Sequence, residues 1–148
     1  MRRLAETGAV VGPSVPFDEV PYSYRLARAL AAQRDPGDGT PMLVEDHLRD
    51  VLLGAEPQVA RKLAERVLAP LVGLSGAKRE VMEQTLLAWL TRWGRREEMG
   101  DLLGVHSQTV GYRVQRLRDL FGEVLEDAER RFDLETALRA RRVRLPGA

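Results

Sequence analysis

Residues 96–117 read REEMGDLLGVHSQTVGYRVQRL, and their spacing decides the fold. The stretch predicts two helices, 95–103 and 107–121, crossing steeply through a turn of Gly104, Val105 and His106. Such a corner needs a small residue where the helices touch. Gly100 supplies it, although glycine inside a helix costs about 1 kcal/mol relative to alanine. The turn needs a residue that tolerates positive φ, which Gly104 provides. Val105 then plugs the corner, with Leu103 behind it and Val110 ahead, and Ser107 is placed to cap the second helix.

At roughly 100° per residue, Val110, Val114, Leu117 and Phe121 share one stripe of that second helix and are its expected packing face. The opposite face carries Gln108, Tyr112 and Gln115. Thr109 and Arg116 flank it on one side, and Ser107, Gly111 and Arg118 on the other. These are side chains that read or grip DNA: glutamine bridges adenine edges, arginine chelates guanine or phosphate, and hydroxyls bond phosphate oxygens. Gly111 is expected to permit close approach, and Arg113 stands beside the apolar stripe, where it pairs with an acid or holds a phosphate at the rim. Asp119 lies on the outer face further along, which confines the expected contact zone to the first three turns.

Outward from this window the pattern is mainly helical. Val81, Met82, Thr85, Leu86, Trp89 and Leu90 predict a packing helix from Lys78 to a stop at Gly94, with Trp89 and Trp93 one turn apart in the core. A last helix over 131–144 presents Leu134, Ala137, Leu138 and Val143. Upstream, 9–16 reads as a short strand and turn. EVPYSYRLARALAAQ reads as a helix with Tyr24, Leu26, Ala27 and Leu30 on its apolar side, and DPGDGTP at 35–41 is a loop. Met42 to Val44 is extended, and short helices follow at 45–53 and 57–68.

Composition narrows the function classes. The 148 residues include no cysteine and two histidines, His47 and His106, so neither a disulfide framework nor a cysteine-based zinc site is available, and no metal or cofactor is expected. His47, beside Glu45, Asp46 and Asp50, lacks converging ligands and reads as a capping or surface residue at a helix start. No set of base, nucleophile and orienting group is evident, so an enzyme is not expected. The apolar run Ala9 to Val11 is too short for a signal peptide or membrane span, despite the Arg2–Arg3 pair before it, and the expected location is cytoplasmic.

The net charge of +1 gives no global pull toward nucleic acid. The distribution is more informative: residues 1–90 hold 11 basic and 12 acidic side chains, whereas 91–148 hold 12 and 10. Arg113, Arg116 and Arg118 fall in a stretch from Ser107 to Arg118 without an acid. Arg139, Arg141, Arg142 and Arg144 form a second cluster, either extra phosphate contacts or a solvated helix face, with Glu126, Asp127 and Glu129 nearby to offset it.

The segment LLGVHSQTVGYRVQRLRDLFG and the terminal DLETALRARR resemble the C-terminal domain of PucR family regulators, which include purine-catabolism and sugar-diacid activators. The resemblance is carried by Val105, His106, Thr109, Tyr112, Arg113, Leu134, Ala137 and Leu138 and extends over 78–144. Met99 and Gly100 stand where that family has an alanine pair, and Gln108 where it has asparagine, departures that bear on target sequence. The resemblance implies that residues 9–34 are the tail of the cyclase-like, GGDEF-related sensor domain that often precedes this module. No G-G-[DE]-E-F motif is present, and the front of that domain is missing, as in a shortened chain or a naturally short relative.

Together these readings give a mainly α helix-turn-helix bundle with a short N-terminal α/β remnant. Its expected segments are a sensor remnant at 1–41, a helical connector at 42–77 and a DNA-binding domain at 78–148. The expected partners are double-stranded DNA and a second copy of the chain, with an effector sensed outside this chain. The alternative is a protein-interaction or dimerisation module whose helix-turn-helix does not bind DNA.

Overall fold

A computed structural model describes residues 8–33 and 39–142. Arg2, Arg3, most of the expected 35–41 loop, Val143, Arg144 and Pro146 lie outside the described residues. The chain divides into two compact units, Met1–Arg61 with Arg139–Ala148, and Lys62–Leu138. The fold is mainly helical, with seven α-helices and one two-stranded sheet among the described residues.

In the first unit, β1 (Val10–Val11) pairs in parallel with β2 (Met42–Leu43), Val10 opposite Met42 and Val11 opposite Leu43. α1 (Val20–Ala31) starts with a proline in its first turn, where the missing N–H has no helical partner to lose. It packs through Leu26, Ala27, Ala29 and Leu30 against Val44 and Val51. Tyr24, expected on that side, is 64% exposed. The buried side is narrower than the sequence pattern implied, and the small Ala29 takes part of it.

The segment expected as one helix over 45–53 is two pieces, a 3-10 turn at Val44–His47 and α2 (Leu48–Gly54). His47 stands at the start of α2 without capping its backbone. Its Nδ1 lies 3.2 Å from Asp50 Oδ2 instead. α3 (Pro57–Val67) follows.

The second unit is built around α4 (Gly76–Thr91). This helix starts earlier than the apolar pattern indicates, because Ser75 already takes the extended cap conformation (φ −61°, ψ 155°). Met82, Thr85, Leu86, Leu87 and Ala88 are all buried, so α4 is covered on more than one side, unlike a surface helix with a single stripe. Buried Thr85 satisfies its hydroxyl by donating to the Val81 carbonyl at 2.7 Å.

α5 (Arg96–Leu103) and α6 (Ser107–Phe121) follow, and α7 (Ala128–Arg142) contributes Leu134, Ala137 and Leu138 to the unit's core. α7 begins three residues before its expected start at 131. The Asp127 carboxylate accepts the Arg130 N–H at 2.8 Å and satisfies an orphan donor of the first turn. A main core joins Leu68, Leu71, Met82, Leu86, Leu117, Phe121, Leu125 and Leu134, and a smaller one joins Ala88, Met99, Val110 and Val114.

Trp93 departs from expectation. α4 ends at Thr91, so Trp93 is out of helical register with Trp89. It is 77% exposed with φ 51°, while Trp89 packs against both cores.

Candidate nucleic-acid interface

The corner between α5 and α6 is set by two glycines. Gly104 ends α5 in the left-handed conformation (φ 63°, ψ 34°), which an L side chain adopts only at a cost. Val105 then turns back so that its N–H donates to the Gly100 carbonyl at 3.0 Å. A Cβ on Gly100 would stand 2.9 Å from the Val105 carbonyl oxygen, closer than real contacts allow. Gly100 is buried and Val105 half-buried against Met99, Val110 and Val114.

His106, not Ser107, occupies the cap position of α6. Its extended backbone (φ −65°, ψ 146°) ends the turn, and no side chain caps the helix. The expected capping role of Ser107 is therefore corrected: Ser107 is already the first helical residue and is half-buried. The His106 carbonyl accepts the Val110 N–H at 3.2 Å, and the His106 side chain is exposed.

Beyond the turn, Val110, Val114, Leu117 and Phe121 are buried at 5% exposure or less and fix the rotation of α6. That rotation leaves Gln108, Thr109, Tyr112, Gln115, Arg116 and Arg118 exposed. Tyr112 is 76% exposed, so its ring takes no part in the core. Gln115 donates to Asp119 Oδ1 at 3.2 Å, which ties up one polar group at the far end of the face. Arg113 is half-buried, and neither it nor Arg116 has an ion pair among the described residues.

Thr109, Tyr112, Arg113 and Arg116 line one wall of a groove whose other wall is Leu74, Ala77, Lys78 and Val81. Lys78 thus adds a third cation beside Arg113 and Arg116. Sequence reading missed it, since Lys78 is 35 positions from Arg113 and only the crossing of α4 with α6 brings them together. On the opposite flank, the Arg96 guanidinium passes 3.8 Å from where a Cβ of Gly111 would be. The neighbour that Gly111 accommodates within the chain is therefore an arginine. The arrangement is a helix with an exposed polar face of Gln108, Tyr112 and Gln115, cations without an ion pair among the described residues on both flanks, and Asp119 at its far end.

Residues 82–140 match the PucR C-terminal helix-turn-helix domain. This is a regulatory DNA-binding family without catalytic character, and the matched PucR-type segment contains α5, the turn and α6 whole. It begins at residue 82, and nothing in it supports a cyclase-like remnant at 1–41. A protein described as uncharacterized, in the pkwA 5′ region of Thermomonospora curvata, is 32% identical over 110 residues, covering 74% of this chain. The chain spans 61% of that curated relative's length. No solved structure matches the chain. Among the described residues no helix is long and apolar enough to cross a membrane.

Proposed function

We propose that the PucR-type domain binds double-stranded DNA sequence-specifically and serves transcriptional control, with α6 as the recognition helix in the major groove. The observation that carries this reading is the outer face of α6. Gln108, Thr109, Tyr112 and Arg116 are exposed on a helix whose rotation is locked by four buried side chains. A reading helix has to present its polar groups in a fixed register, because base edges are discriminated by donor and acceptor geometry.

In this assignment Gln108 and Arg116 address base edges, and Ser107, Thr109, Tyr112, Arg113 and Gln115 hold the flanking backbone. Gly111 gives that flank room for Arg96. In the alternative, a protein-interaction or dimerisation module, the helix-turn-helix is a packing device and α6 has no need of an exposed polar face held in fixed register. Two copies of the chain acting on paired half-sites would multiply affinity, and the proposed active form is a homodimer. The effector is proposed to act through a sensor outside this chain.

The test is selection of duplexes from a random pool by the purified chain. Enrichment of a shared motif supports the reading, and a pool that stays random through successive rounds refutes it.

A further inference from the structure

The turn Arg92-Trp93-Gly94-Arg95-Arg96 joins α4 to α5 and has properties that the corner does not require. Trp93 is 77% exposed and sits at φ 51°. That conformation costs an L residue about 1–2 kcal/mol, and exposing the indole forgoes its burial as well. The turn is closed by the Arg95 N–H donating to the Arg92 carbonyl at 3.0 Å and the Gly94 N–H to the Trp89 carbonyl at 3.2 Å. One indole is tucked in and the next is held out.

The charge of the turn is likewise directed outward. Arg95 is paired with Glu98 at 2.6 Å, but Arg92 and Arg96 have no ion pair among the described residues. Arg96 lies along Gly111 of α6. This places the Arg96 end of the turn against the Gly111 flank of α6, within the half of the helix that carries Gln108 and Tyr112.

We propose that this turn is a second DNA-contacting element. Arg92 and Arg96 grip phosphates of the strand flanking α6, and Trp93 packs its indole on the deoxyribose of that strand. A polyanion with apolar sugar faces answers both unpaired cations and a displayed amphipathic ring. The inference rests on the DNA-binding reading of α6. It adds contacts that position the protein without reading sequence.

The chain has two tryptophans, so Trp89→Phe leaves Trp93 as the sole indole reporter. On titration with a duplex enriched by the wild-type chain, Trp93 fluorescence changes and becomes shielded from acrylamide. Trp93→Gly and Arg96→Ala each lower affinity about five- to tenfold on enriched and random duplexes alike, and Arg96→Ala reduces the salt slope by about one. Trp93→Gly relieves the left-handed backbone, so lost affinity at equal or higher thermal stability is not a folding defect.

An indole still open to acrylamide at saturating DNA overturns the proposal, as do variants that bind like wild type while Arg116→Ala loses affinity. Self-association abolished by Trp93→Gly with DNA binding unchanged also overturns it and assigns the turn to a second copy of the chain. If wild type binds no duplex at low salt, the reading of α6 itself fails, an outcome distinct from these.

Discussion

The carbonyl oxygen of Val105 lies 2.9 Å from where a Cβ on Gly100 would be, so the α5–α6 corner of this chain is closed to a spacing that a Cβ would force open by a few tenths of an ångström. The contact is backbone, with no flexible side chain to yield. Gly100→Ala gains about 1 kcal/mol of helix propensity but forces the corner apart, an overpacking cost of about 1–3 kcal/mol. The expected result is net destabilisation in chemical unfolding, larger for Gly100→Val, together with weakened DNA binding as α6 is displaced.

Gly104 isolates the backbone term. Nothing lies within 4 Å of its Cβ position, and φ is 63°. Gly104→Ala therefore costs about 1–2 kcal/mol through conformation alone, and Gly104→Asn costs less because asparagine tolerates this region. Equal stability of both variants in denaturant titration would contradict the left-handed turn.

Leu117 and Tyr112 separate folding from binding on one helix. Leu117 is fully buried, and Leu117→Ala should cost about 2–5 kcal/mol. Tyr112 is 76% exposed, and Tyr112→Ala should stay within about 0.5 kcal/mol of wild-type stability while lowering DNA affinity. Thermal unfolding and DNA titration on the two variants should give opposite rankings.

Arg116 and Gln108 separate affinity from specificity. Arg116→Ala should weaken binding and flatten its salt dependence. Gln108→Ala should mainly reduce the preference for the chosen sequence, by about 1–3 kcal/mol at one base pair. Competition titrations with matched and mutated duplexes read both effects.

The corner was legible in sequence because its requirements are local. Gly100, Gly104 and the stripe Val110, Val114, Leu117, Phe121 follow from helix geometry and turn sterics within one window. Trp93 differs from its expected core position because helical spacing carries no signal that the backbone leaves the helix after Thr91. α7 starts ahead of its expected position because apolar spacing is silent about Asp127, whose side chain caps the first turn. Lys78 beside Arg113, and Arg96 along Gly111, depend on how helices cross, which no local pattern encodes. Tyr24 shows the limit of amphipathic reading at the other end, where a short helix over a two-stranded sheet buries only part of its apolar side.

The most direct test of α6 as a DNA-reading helix is equilibrium binding of the purified chain to labelled duplex from around its own gene, with random competitor DNA, at two salt concentrations. Selective binding that weakens steeply with salt, and that Arg116→Ala reduces at unchanged stability, is the expected result. Absence of affinity for any duplex at low salt, or binding indifferent to sequence and to Gln108 and Arg116, would contradict it.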